Sequence, residues 1–372
     1  MRVYACGEVY ATMGIADYFS ERVHALDQSL HRIKDFHVFD FNHIPEQPLM
    51  REEIKPIIDA CLRYLKTGIP NHLFIFGSRG CGKTLMLKYI QRLLRGQATV
   101  CYVNCRQHNT SFKILAHLLC VKPRGCSLDE LWLRFCDAHA GRLILILDEV
   151  DLLSEKDRHK DILYLLARST SAYMSVLLSN HPKFLGRLDE SIRSSLQPEM
   201  IHFRNYDADQ VRAILVDRAR GGLHEWSESI VAQIAALTVS ATNADVRVAI
   251  KALYYLALEQ SEDVRAVFER ARRDLIVDVL TDLNDQNLYI LMAIAESTEP
   301  FVKTVYERYR QITLQHHETP FSYVYFYTSL SYLQSIGLVL LLSTKVGRTY
   351  TNQIQLLFAG ELLDAILQTR LG

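Results

Sequence analysis

The sequence predicts an α/β fold: a parallel sheet covered by helices, then a small all-α part, then three helices closed by a β-ribbon. Three observations predict it. Five short apolar runs, Leu73 to Phe76, Thr99 to Val103, Leu143 to Leu147, Ser175 to Leu178 and Met200 to Phe203, are separated by helical stretches. Strands that alternate with helices form parallel sheets buried on both faces. From Asp207 to about Leu283 helical patterns follow one another without a strand. From Asn284 to Gly372 three helical stretches precede two strand-like runs around a glycine turn, Leu338 to Leu342 and Thr349 to Leu356. That last arrangement is the winged-helix pattern.

Ahead of the sheet, Met13 to about Phe36 reads as an amphipathic helix, with Ile15, Phe19, Val23, Leu26 and Leu30 near helical spacing. Pro45 and Pro48 hold the next stretch open, and a helix from about Arg51 to Lys66 is closed by Gly68 and Pro70. A length of 372 residues has room for two or three domains. The expected division is a helical extension over 1–36, a sheet domain over 37–206, a helical domain over 207–283 and a winged helix over 284–372.

Composition narrows the functional classes. The hydrophobic share of 49% is that of a chain with ordinary packed cores. No apolar run approaches the length needed to cross a bilayer, and no secretory pattern opens the chain, so a cytosolic protein is expected. All eight cysteines lie between Cys6 and Cys136 without a C-x-x-C pair, which favours small buried apolar residues over a zinc site. Lys plus Arg equals Asp plus Glu at 42 each. Strong autonomous DNA binding is therefore disfavoured, while a local basic patch is not excluded.

The chemistry begins at Gly77-Ser78-Arg79-Gly80-Cys81-Gly82-Lys83-Thr84, which satisfies G-x-x-x-x-G-K-[ST]. It follows the strand Leu73 to Phe76 and opens the helix Leu85 to Leu94, the context the motif requires. Glycines let the backbone curl so that N–H groups converge on phosphate oxygens, and the helix N-terminus adds its dipole. Lys83 supplies charge for the β- and γ-phosphates and Thr84 a hydroxyl for Mg2+. ATP or ADP is the implied ligand.

Leu143 to Leu147 runs into Asp148 and Glu149, which places two carboxylates at the ligand edge of a parallel sheet. Asp148 suits the Mg2+ shell and Glu149 the activation of the attacking water. Asn180, after the run Ser175 to Leu178, reads equally as a water-holding or phosphate-sensing group and as a plain turn residue.

Taken together, several ordered blocks resemble the archaeal origin-recognition and cell-division-control initiator ATPases, a branch of the AAA+ class. They include Ile44-Pro45-Glu46 with Leu49-Met50-Arg51-Glu52-Glu53, Val103-Asn104-Cys105-Arg106, Leu147-Asp148-Glu149-Val150-Asp151, Ser194-Ser195-Leu196 with Phe203 and Tyr206, and Gly347-Arg348-Thr349. The resemblance covers roughly Phe36 to the C-terminus. It implies a P-loop AAA+ domain, an all-α lid and a C-terminal winged-helix domain, with ATP or ADP held by the loop and Leu85, by Ile44 and Pro45, and by Tyr206. It makes Asn180 the first sensor and Arg247, in Ala244-Asp245-Val246-Arg247, the second. The implied partners are double-stranded origin DNA, the replicative minichromosome maintenance helicase and paralogous initiator subunits, with no membrane, in a cytoplasmic, nucleoid-associated protein.

The chain departs from the family in three places. Ser191 stands where an arginine for a neighbour's nucleotide is usual, which leaves Arg193 or Arg187 for that role. Ala244 replaces a glycine, a change that a helical first turn tolerates. The helix Phe321 to Ile336, expected to read DNA, has no Lys or Arg and carries aromatics at helical spacing, a pattern that is usually core. Basic contacts to DNA then fall to Lys303, Arg308 and Arg310 or to the wing pair Lys345 and Arg348, with Arg106, Lys122 and Arg124 in the segment Arg106 to Leu128 after the second strand. An initiator that binds DNA competes with a signalling-type ATPase whose winged helix packs or binds a protein partner.

Overall fold

The computed structural model describes residues 14–122, 124–154, 157, 160–259, 261, 263–346 and 349–371. The described residues form two compact units. One joins the stretch up to Pro45 with Asp207–Leu275, and the other joins Glu46–Tyr206 with Ile276 onward.

Chain order starts with α1 (Ile15–Leu30), whose Ile15 and Phe19 are 91% and 69% exposed. The helix stops short of Phe36 because Asp35 caps a separate turn of 3-10 helix, accepting the His37 N–H at 2.8 Å. After α2 (Ile54–Thr67), Gly68 adopts φ 75° and returns its N–H to the Tyr64 carbonyl. A left-handed stop of this kind is cheap only for glycine. Then follow β1 (Leu73–Phe76), α3 (Lys83–Leu93), β2 (Thr99–Asn104), α4 (Ser111–Leu118), α5 (Leu128–Ala138), β3 (Leu143–Asp148), α6 (Asp161–Ala167), β4 (Met174–Ser179), α7 (Glu190–Leu196) and β5 (Glu199–His202). The five strands are parallel in the order β2-β3-β4-β1-β5.

Strand periodicity sorts the core. Along β3, Leu143, Leu145 and Leu147 enter one apolar cluster with Ile114, Leu131 and Phe135. Ile144 and Ile146 enter the other with Ile57, Leu87 and Ile90. Each fully buried side chain of this size contributes about 1.5–3 kcal/mol. The strand is buried throughout, with Asp148 at its end and Glu149 just beyond.

In the first unit, α8 (Ala208–Gly222) opens on a capping box between Asp207 and Gln210, and α9 (Glu228–Ala241), α10 (Val246–Glu259) and the part of α11 (Val264–Thr281) up to Leu275 follow. The stretch from Val38 to His43 packs on α8. Buried Arg218 donates to the carbonyls of Val38, Asp40 and His43, and Gly222 lies so close to the Phe39 ring that a Cβ would stand 2.6 Å from it. Between α9 and α10, Asn243 and Ala244 take φ 53° and 59°. Ala244 therefore does not occupy a tolerant helical turn, as expected from the sequence, but a left-handed position where a Cβ is strained.

In the second unit, α12 (Asp285–Glu296), α13 (Val302–Gln315) and α14 (Tyr323–Ser335) precede an antiparallel ribbon of β6 (Val339–Val346) and β7 (Thr349–Leu356). A helix α15 (Gly360–Leu371), which no sequence signal announced, closes the chain. Leu288, Val305, Tyr309, Phe326, Leu330, Val339, Ile354 and Leu363 share one buried core. Among the described residues, no helix is long and apolar enough to cross a membrane.

Candidate functional site

The strand order brings three chain ends together, because β1 lies beside β4 and β4 beside β3. Their C-terminal ends deliver the loop Gly77–Gly82, then Ser179 and Asn180, then Asp148 and Glu149. Such an edge is where parallel α/β sheets bind ligands.

The loop needs its glycines. A Cβ on Gly77 would lie 2.4 Å from the Phe203 carbonyl oxygen, and one on Gly82 would lie 2.1 Å from the Tyr206 hydroxyl. Gly80 and Gly82 also take φ 74° and 90°. Lys83 is 7% exposed, and its Nζ donates to the carbonyls of Gly77 (2.9 Å) and Ser78 (2.8 Å) and to Asn180 Oδ1 (3.0 Å). Among the described residues no carboxylate pairs with it, so a buried cation stands beside a glycine-rich backbone without a counter-charge. A polyphosphate supplies that counter-charge, so the residues fit a nucleotide.

Thr84 Oγ1 donates to Asp148 Oδ2 at 2.7 Å, and Tyr102 donates to the same oxygen at 2.8 Å. The donor set suits Mg2+, which binds through one or two protein oxygens and the phosphates of its partner. Glu149 stands beyond Asp148 with φ 55° and ψ 45°, a left-handed conformation uncommon outside glycine and typical of functional positions. Asn104 Nδ2, at the end of β2, lies 3.3 Å from Glu149 Oε2. Burial and the Asp148 carboxylate hold the Glu149 pKa above the ordinary range, and Arg79 partly offsets them. Asp151 Oδ1 accepts from Ser179 Oγ (2.7 Å) and from the Asn180 N–H (3.1 Å), which fixes the strand end that carries Asn180.

Other expected residues lie as follows. Cys81 and Tyr206 are buried at the loop, Leu85 packs on the core of the sheet domain, and Ser78 Oγ bonds to Asn205. Ile44, Pro45 and Arg247 belong to the first unit, where Arg247 is folded onto Asp245 by contacts of 2.9 and 2.5 Å. Arg193 is exposed on α7, as is Ser191, whereas Arg187 meets His181 Nε2 at 2.7 Å. Burial and Arg187 push the His181 pKa down to about 4.

For the expected DNA contacts, Lys122 and Arg124 are exposed between α4 and α5. Arg106 is ion-paired with Asp282 at 2.8 Å. Lys345 belongs to β6, and Gly347 and Arg348 lie outside the described residues. Helix α14 is divided: Phe326, Leu330 and Leu333 are core, while Tyr323, Val324, Tyr325 and Tyr327 are exposed. Tyr332 of the same helix belongs to the electrostatic surroundings of the site. Burial raises its pKa, Arg79 and Arg106 pull it down, and Asp151 and Glu149 push it up.

Sequence reasoning assigned no role to Tyr102, Asn104, Asp151 or Tyr332. The strand register alone shows the first two, because Asn104 lies level with Asp148.

Comparison with known proteins agrees with this geometry. A family described as an AAA domain matches residues 70–188. The ORC1-type DNA replication protein 1 of Sulfolobus acidocaldarius is 29% identical, over 68% of this chain and 70% of that protein. The ORC1 protein of Aeropyrum pernix, solved in complex with DNA, has a TM-score of 0.68 at 22% identity and covers 91% of this chain and 97% of its own. CDC6P from Pyrobaculum aerophilum has a TM-score of 0.57 at 21% identity, with 92% and 100% covered. The chain thus carries an AAA domain and is similar, over about two thirds of its length, to ORC1-type DNA replication proteins.

Proposed function

We propose that the protein is an ATP-dependent replication initiator that binds origin duplex DNA, helps recruit the replicative minichromosome maintenance helicase, and switches between ATP and ADP states with slow hydrolysis. The observation that carries the reading is the buried, carboxylate-free Lys83 at a strand edge where Thr84, Asp148, Glu149 and Asn180 meet. Its setting in a chain similar to an ORC1 protein solved with DNA extends it to duplex binding. Domains over 37–206, 207–283 and 284–372 would serve as nucleotide-binding domain, lid and winged helix.

In this reading the loop N–H groups and Lys83 bind and orient the β- and γ-phosphates. Thr84 and Asp148 would hold Mg2+, which when bound would supply positive charge beside those phosphates. Glu149 takes the proton of the attacking water, and Asn104 holds its carboxylate in place until then. Asn180 orients the water or the γ-phosphate. Arg247 exchanges Asp245 for phosphate when the lid closes. Arg193 is the candidate for a neighbouring subunit's nucleotide. Hydrolysis is slow because no such arginine is supplied within one chain.

Two observations favour a second reading, a signalling-type ATPase: α14 presents no basic residue, and Arg106 already has an acidic partner. Gel filtration with origin duplex, in ATP and in ADP, separates the two. Co-elution that depends on the nucleotide supports the initiator, and its absence in both states refutes it.

A further inference from the structure

Arg51 has no part in the chemistry above, yet it is among the most deeply buried charges of the second unit. Its side chain is 2% exposed and is ion-paired with Glu53 at 2.9 Å. It donates to the Cys81 carbonyl at 2.8 Å and to the Arg204 carbonyl at 2.8 Å, and Glu53 accepts the Arg204 N–H at 3.1 Å. The guanidinium carbon lies 4.5 Å from the centre of the Tyr206 ring and 5.3 Å from that of Phe203. Its Nε is buried without a partner. A buried guanidinium with an unmatched N–H is a poor way to fill space, since an apolar side chain of that volume does so without the desolvation penalty. Its value lies in what it holds.

It holds one peptide. In a trans peptide the carbonyl and the following N–H point in opposite directions, and the described chain has no cis bond. With the Cys81 oxygen drawn to Arg51, the Gly82 N–H is aimed away from the guanidinium. Among the described residues that N–H has no acceptor, so it is a spare donor within the phosphate-loop motif. Gly82 forms one side of that peptide at φ 90°, and Gly80 precedes Cys81 at φ 74°, so the turn is built where the backbone is least restrained by side chains. The Tyr206 ring that faces Arg51 also carries the hydroxyl that a Cβ on Gly82 would meet.

We propose that Arg51 is a positioning residue of the phosphate loop, which holds the Cys81–Gly82 peptide so that the Gly82 N–H faces the bound polyphosphate. The proposal rests on the nucleotide-site reading above. Through Glu53 the same clamp grips both main-chain groups of Arg204, where the chain leaves the sheet. Loop orientation and the exit strand are thereby fixed by one side chain. A lysine cannot reproduce the clamp, because one ammonium point charge does not span three separated acceptors as a planar fork does.

The test is calorimetric titration of ADP into the full chain as wild type, Arg51→Lys, Arg51→Met and Lys83→Ala, with ATP turnover and nucleotide-free thermal unfolding measured alongside. Arg51→Lys and Arg51→Met are expected to weaken ADP binding by about 10–100-fold, the size expected for hydrogen bonds that involve charged groups. KM for ATP should rise in the same proportion while kcat stays within a few-fold, the signature of lost ground-state binding. A purely structural residue would lower the unfolding midpoint and the active fraction without that split. If Arg51→Lys folds and binds ADP as wild type does while Lys83→Ala does not, the Arg51 proposal is overturned and the site reading stands. If Lys83→Ala also keeps full affinity, the site reading itself fails. Loss of folding in both Arg51 variants overturns the proposal as well, because it assigns Arg51 to the core.

Discussion

Replacing Gly82 by alanine tests the packing of the phosphate loop most directly. The new Cβ would stand 2.1 Å from the Tyr206 hydroxyl and 3.2 Å from the ring carbon that bears it, at a residue with φ 90°. The two penalties can be separated. A left-handed backbone costs a residue with a Cβ about 1–2 kcal/mol, and overpacking a filled site costs about 1–3 kcal/mol. Gly82→Ala should therefore destabilise the chain by about 2–4 kcal/mol, since relief of one strain reduces the other. Tyr206→Phe removes the atom at 2.1 Å and leaves the ring carbon and the backbone strain. In the Tyr206→Phe background the alanine should thus lose about half of its penalty, which appears as a coupling energy of about 1–2 kcal/mol. Urea unfolding of the four proteins, followed by fluorescence without nucleotide, measures the cycle. A coupling energy of zero would refute the contact. A Gly82→Ala protein as stable as wild type would refute the loop geometry altogether.

Glu149→Gln should keep ATP binding and slow hydrolysis by about 10²–10⁴, the usual loss on removing a general base. Burial and Asp148 raise the Glu149 pKa, so the native state holds this proton more firmly than the unfolded chain does. Its contribution to stability is present below the unfolded value and lost as pH rises through the folded one. Hydrolysis needs the deprotonated form, so the acid limb of the kcat/KM profile, which reports the free enzyme, should lie above the ordinary glutamate range and vanish in the glutamine variant. Tyr102→Phe removes one of two hydroxyls on Asp148 Oδ2 and should cost about 1–2 kcal/mol in unfolding experiments. Lys345→Ala with Arg348→Ala should weaken duplex binding by about 1–3 kcal/mol and flatten its salt dependence at unchanged stability, as read by anisotropy across a salt series.

Much of the sheet domain was legible because its signals are local. Apolar runs bounded by turns marked all five strands to within a residue or two, and the strand–loop–helix context located Lys83, Thr84, Asp148 and Glu149. The parts that were not legible depend on distance in the chain. Arg51 meets a carbonyl 30 residues on and another 153 residues on, which no spacing rule encodes. Tyr102 reaches Asp148 only because β2 and β3 pair in one register. Ala244 misled for another reason: residue type alone gives no φ, and the turn between α9 and α10 imposes a left-handed one on alanine. The face of α14 was half legible, since aromatics at helical spacing cannot say which of them reach the core. Phe326 does, while Tyr323 and Tyr327 do not.

The ion pair between Arg106 and Asp282 bears on how binding would respond to salt. An arginine that enters a phosphate contact from water displaces a condensed cation, and that release is what makes affinity fall as salt rises. Arg106 would enter from a carboxylate instead. The freed Asp282 would then attract a cation of its own beside the duplex, so the exchange returns part of what the phosphate gives up. Arg106 would therefore contribute less than one full counterion to the salt slope, and the abandoned carboxylate would repel the strand that displaced it. Neutralising Asp282 to asparagine should make this segment a stronger and more salt-sensitive contact. The acidic residue, rather than the basic one, would then govern how readily this surface accepts a polyanion.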